Sequence, residues 1–156
     1  MHMRAVFAML LFIGACSPAG EPLSRDFAGW WRPEAGKLGC ERAAMRFERN
    51  QVHVRRDARF VTVFEITEAK LAPGEARLTL RIADEAALLA AIDQGRPAMA
   101  TELPKRAIVL TLRRAGDRLV PNNALIQESG PRGLRAPGRG EARAITQIFT
   151  MTPCPV

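Results

Sequence analysis

Tyrosine is absent from this chain of 156 residues, and aromatic residues of all kinds make up only 6% of it. Proteins that hold single-stranded nucleic acid stack bases on aromatic rings, so nucleic acid is a poor partner for this composition. Histidine is almost as scarce, at positions 2 and 53, and serine occurs only at positions 17, 24 and 129. An activated nucleophile needs a base and an orienting group beside it, and the inventory for that is thin. His53 lies on the polar face of a predicted strand and reads as a lone surface side chain. Glu48, Glu65, Glu68 and Glu102 each have arginine or lysine within a few positions, which suits solvated strand faces better than the paired acids of a glycosidase. There is no Gly-rich phosphate loop leading into a helix and no metal-ligand spacing. The expectation is a protein that is not an enzyme and carries no metal or cofactor. Long apolar runs are missing too: the longest, Ala5 to Ala15, is about 11 residues, against roughly 20 for a membrane-spanning helix.

That run follows Arg4 and is broken at once by Gly14, Pro18 and Gly20. A basic start, a short apolar core and small residues at its foot describe a secretory signal. A buried core helix is the plainer alternative, but no amphipathic stripe supports it. Ile13-Gly14-Ala15-Cys16 resembles the lipobox of bacterial lipoprotein precursors. The resemblance implies cleavage before Cys16, a thioether-linked lipid on its sulfur and acylation of the new amino group. Several acyl chains anchor a protein firmly where one holds it only marginally. Ser17 in place of Asp implies, for a Gram-negative source, delivery to the outer membrane, facing the periplasm. Cleavage after Ala19 is the rival, and it would discard Cys16. The expected layout is a signal peptide over 1–15, a lipidated tether over 16–26 and a single β-barrel-like domain over 27–156. The tether is read from "SPAGEPLSRD", which is poor in apolar residues.

With Cys16 lipidated, Cys40 and Cys154 remain. Export places them in an oxidising compartment, where a disulfide persists, and their bridge would tie the start of the domain to its end. Two buried thiols are the alternative. The formal charge is +7, from 23 Lys and Arg against 16 Asp and Glu, and the cations are mostly arginine. Besides the membrane reached through its lipid, a basic envelope protein has anionic lipid, lipopolysaccharide and peptidoglycan carboxylates as candidate partners.

The rest of the chain alternates apolar and polar residues, the period of half-buried strands. Met45 and Phe47 alternate with Arg46 and Glu48, Val52 and Val54 with His53 and Arg55, and Arg49-Asn50-Gln51 reads as a hairpin. "RFVTVFEIT" (59–67), rich in β-branched and aromatic residues and apolar on both faces until Glu65, reads as a central strand, and "ARLTLRI" (76–82) and "RAIVLTLRRAGDRLVP" (106–121) continue the alternation. "DEAALLAAIDQG" (84–95) changes to a helical period, with Asp84 as N-cap and Leu88, Leu89 and Ile92 on one face. "AITQIFTM" (144–151) is expected as the last strand. The fold class is mainly β: an antiparallel meander closed as a small barrel or sandwich, with one short helix. Gly29-Trp30-Trp31 resembles the Gly-x-Trp start of lipocalin-like barrels, which implies that Trp31 plugs a closed barrel end. An ordinary β-core packing of both tryptophans is the alternative.

"ESGPRGLRAPGRGEAR" (128–143) has no periodicity and holds Arg132, Arg135, Arg139 and Arg143. It reads as a solvated excursion or as an anion-binding loop whose guanidiniums grip phosphate or carboxylate. Ser129-Gly130 followed by Arg132 also resembles part of the Ser-Gly-x-x-Tyr loop of membrane-bound C-type lysozyme inhibitors, although Gly133 stands where their tyrosine is. The function expected is a lipid-anchored, non-catalytic binding or assembly module of the envelope. The alternative is a lysozyme-type inhibitor presented on the same anchor.

Overall fold

The computed structural model describes residues 20–36, 38–92, 99–128 and 133–155. Among the described residues the first element is a 3-10 turn, Arg25–Phe27, followed by β1 (Trp31–Pro33), α1 (Cys40–Ala43), β2 (Met45–Phe47), β3 (Gln51–Arg56), β4 (Arg59–Ala72) and β5 (Glu75–Ile82). It continues with α2 (Glu85–Ile92), α3 (Met99–Glu102), β6 (Ile108–Ala115), β7 (Arg118–Gln127), β8 (Leu134–Arg135), α4 (Arg139–Phe149) and β9 (Met151–Pro153).

The strands form an antiparallel meander in which each alternation of apolar and polar residues becomes an inside and an outside. Met45 pairs with Val54 and Phe47 with Val52, and all four side chains are buried. Ala76, Leu78 and Leu80 line the inner face of β5 opposite Leu112, Leu110 and Ile108 of β6. Tight turns join the long hairpins. Pro73 presets the first turn position between β4 and β5, and Gly74 takes a positive φ of 69°, which an L side chain rarely adopts. Register shifts at Val52/His53, Ile66/Glu68 and Thr111/Leu112 bend the ribbon, and such bulges supply the curvature that a barrel needs.

Closure comes from the end of the chain. β6 pairs with β7, β7 with β9 and β9 with β1, so eight strands form a closed ring and β8 is an extra strip beside β7. The seam is narrow, because β9 has only three residues and meets β7 at the single register pair Leu119 with Met151. Three further links span it. Glu34 accepts both hydrogen bonds of the Arg118 fork, at 2.6 and 2.7 Å. Those bonds hold the Glu34 carboxyl below the usual carboxylate range against a smaller opposing effect of burial. The Cys154 N–H donates to Trp30 O at 2.8 Å. The Cys40–Cys154 disulfide joins α1 to the residue just past β9, as expected from the cysteine count.

The interior is filled. Trp31, Phe27, Phe47, Phe64, Phe149, Met45, Leu78, Leu80, Leu88, Ile108 and Leu110 are the largest fully enclosed side chains. Trp31 sits at one end, where its indole N–H donates to Phe27 O at 3.2 Å. Arg114 lies across its ring, 5.4 Å from the centroid, and donates to Asp26 O. The Asp26 carboxylate accepts from the Gly74 N–H, so the 3-10 turn is clasped by the tips of two hairpins. The helices lie toward the other end. α2 starts as expected, with Asp84 Oδ1 accepting from the Ala87 N–H at 2.9 Å. Leu88 and Ile92 are buried and Leu89 packs against the core.

Two expectations change. The helical content is several short helices rather than one, and the stretch expected as the last strand is helical as far as Phe149, leaving only Met151–Pro153 extended. Ala144, Ile145, Ile148 and Phe149 are buried together, a spacing of one and four that lies on one helical face. Phe149 packs on Phe64 at 5.4 Å between centroids.

Because the disulfide closes a chain separation of 114 residues, replacing Cys40 and Cys154 together by Ser should lower unfolding stability by about 4–5 kcal/mol. Denaturant titration checks this, and an unchanged midpoint would contradict it.

Candidate interaction surface

The first described residues form part of the barrel wall. Of the tether expected over 16–26, residues 20–26 lie within the described chain and are pinned down. Pro22 forms a bridge with Glu48, the Leu23 N–H donates to Phe47 O at 3.0 Å, and the Arg49 N–H donates to Glu21 O at 3.1 Å. Leu23 and Phe27 are buried. The apolar residues at 23 and 27 explain this docking. Cys16 lies outside the described residues.

This segment covers the carboxylate of Glu48, which is only 5% exposed and is the one buried charged residue among those described. Burial of that kind requires partners. Gln51 Nε2 donates to Glu48 Oε2 at 3.3 Å, His53 Nε2 meets the same oxygen at 3.1 Å, and Arg46 Nε stands 3.7 Å from Oε1. A Cβ on Gly20 would collide with Glu48 Oε2, so glycine lets the backbone pass directly over the carboxylate. His53 is therefore not the lone surface side chain expected. Its side chain is 18% exposed, and its Nδ1 lies 3.1 Å from the Thr62 hydroxyl. That hydroxyl is also 3.3 Å from Gln51 Oε1, and with one proton to give it serves one of the two as donor.

Thr62, His53 and Glu48 stand in the order of nucleophile, base and orienting acid. Their surroundings are those of a structural clasp: the cross-strand neighbours Arg46, His53 and Thr62 belong to three adjacent strands, and Glu48 carries the covering segment. Among the described residues no group of three or more His, Cys, Asp or Glu is arranged to hold a metal.

Above this clasp, two aromatic rings meet on the outside of the wall. Trp30, just before β1, stacks on Phe60 of β4 at 5.4 Å between centroids, although β2 and β3 lie between those strands. Arg46 reaches 5.9 Å from the Trp30 centroid and donates to Gly20 O at 3.0 Å. Phe60 is 61% exposed, the most open large hydrophobic side chain among the described residues.

The arginines expected as one loop are dispersed in role. Arg132 lies outside the described residues. Arg135 bridges Glu128 and Glu141, and its guanidinium is held further toward the charged form chiefly by the bond to Glu141. Arg143 pairs with Glu102 at 3.1 Å, and Arg139 is exposed at the start of α4. Part of the segment is built structure, since Leu134–Arg135 pairs with β7 and α4 begins at Arg139. The surface depressions follow the outer wall. One of about 410 Å³ is lined by Thr67, Lys70, Arg77, Thr79 and Leu134, and one of about 310 Å³ by Leu38, Arg42, Arg56 and Ala87.

No protein family, curated protein or solved structure matches the chain.

Changing Glu48 to Ala strips the acceptor from Gln51, His53 and Arg46. It should cost about 1–3 kcal/mol and make the bonds around Glu21–Arg25 accessible to protease. Denaturant titration and limited proteolysis check this, and unchanged cleavage would show that the clasp does not hold the segment.

Proposed function

We propose that the chain is a lipid-anchored protein of the bacterial envelope, a non-catalytic binding or assembly module held to the outer membrane and facing the periplasm. The observation that carries this reading is the division of the three cysteines. Cys40 and Cys154 are bonded to each other, which leaves Cys16 at the foot of an apolar run within Ile13-Gly14-Ala15-Cys16. A disulfide that closes the barrel suits an oxidising compartment. Among the described residues no helix is long and apolar enough to cross a membrane, so in this reading attachment falls to the lipid.

The filled interior supports an outward-acting module over a carrier of small molecules, because large side chains occupy the space inside the strands. In this reading the barrel is lipocalin-like at its start: Gly29 takes a φ of 91° and Trp31 plugs one end. The basic outer wall suits anionic lipid, lipopolysaccharide or peptidoglycan as partner.

Expression from the full sequence in a Gram-negative host should give a product whose N-terminal Cys16 carries acyl mass and which fractionates with membranes. Cys16→Ser should abolish both. A wild-type product lacking acyl mass on Cys16, or one equally soluble with and without that sulfur, would contradict the reading.

A further inference from the structure

We infer that the outer wall carrying Trp30 and Phe60 is the face the protein lays on an anionic bilayer, an inference that rests on the lipid-anchor reading. Gly20 is four residues beyond Cys16, so the two are at most about 14 Å apart along an extended chain. A sulfur held in the headgroup layer therefore keeps Gly20 close to the membrane surface. Gly20 is pinned rather than trailing, since Arg46 donates to its carbonyl and Glu48 lies beneath it. The wall around Gly20 consequently cannot swing freely away from the surface.

The same Arg46 guanidinium reaches the Trp30 ring, and Trp30 stacks on the exposed Phe60. Amphipathic aromatic rings settle at the boundary between headgroups and acyl chains. Arg55 lies directly opposite Phe60 across β3 and β4 and therefore shares its face. Arg56 and Arg59 pair with each other on the opposite face, beside Val54 and Val61. The positive charge beside the two rings is that of Arg46 and Arg55. An arginine near an anionic membrane surface contributes severalfold to attachment. Aromatic rings, Arg46 and Arg55, and the short connection to Cys16 therefore converge on one patch.

The test uses the membrane-derived product of the full sequence, reconstituted in vesicles of phosphatidylcholine and phosphatidylglycerol with brominated acyl chains. Bromine quenches tryptophan only at contact distance, and Trp31 is 2% exposed inside the barrel, so Trp30 is the reporter. Quenching should be strong, should disappear in Trp30→Phe, and should weaken in Arg55→Ser. That change should shift the ratio of docked to undocked protein about fivefold. Mass spectrometry of the same sample separates the two ideas. Acylated Cys16 with no quenching overturns the docking face and leaves the anchor standing. Cys16 without acyl mass overturns the anchor reading and the docking face together. Quenching that persists in Trp30→Phe also overturns the docking face.

Discussion

The barrel closes through a strand of three residues. Seven of the eight ring strands follow one another around the sheet with short or helical connections, and only β9 can join β7 back to β1. Three residues supply few ladder hydrogen bonds, and an incompletely closed sheet exposes edges that invite association. The remaining architecture is arranged around that weakness. The disulfide fastens the residue after β9 to α1, the Glu34–Arg118 fork clips the end of β1 to the start of β7, and Met151 and Trp31 bury their side chains beside the seam. Crossing α4 against β7 brings the chain back to the point where β9 must begin, with Phe149 wedged on Phe64. Closure is thus a joint product of a covalent bond, an ion pair and two apolar anchors. The covalent part is a bond of the kind that persists where thiols oxidise.

A closed and filled barrel has its chemistry on the outside. The inside is apolar side chain against apolar side chain, while the polar clasp, the aromatic pair and the arginines all lie on the wall. The segment that precedes β1 belongs to that wall, because its apolar residues at 23 and 27 dock and its backbone covers Glu48. In the proposed reading, an anchor on Cys16 would set the orientation of the whole domain, since only a few residues separate it from Gly20. That orientation would decide which cations meet the membrane.

Much of this was legible in the residues themselves. Strict alternation in 45–54, 76–82 and 106–121 has one structural meaning, and those strands appear with the expected faces inward. Asp84 announced its helix because a capping carboxylate has a mechanism. The cysteine pairing followed from counting. What failed, failed where local patterns are ambiguous or partners are distant. "AITQIFTM" places Ile145 and Phe149 on one face whether read with period 2 or 3.6, and the glycines at 138 and 140 disguised the helix start. His53 looked exposed because its partner Glu48 is itself covered by the segment from Gly20 to Leu23, some thirty residues away from His53 in sequence. The arginines of 128–143 read as a group because they are close in the chain. In space Arg135 and Arg143 are divided among Glu128, Glu141 and Glu102, partners that no spacing rule assigns.

The dependence of the seam on the disulfide is tested most directly by amide hydrogen exchange, residue by residue, on oxidised and reduced protein. Reduction should speed exchange at Arg32, Met151, Thr152 and Cys154 while β4, β5 and β6 keep their protection. Equal protection of the seam in both forms would show that β9 holds the ring closed without the covalent link, contradicting the account.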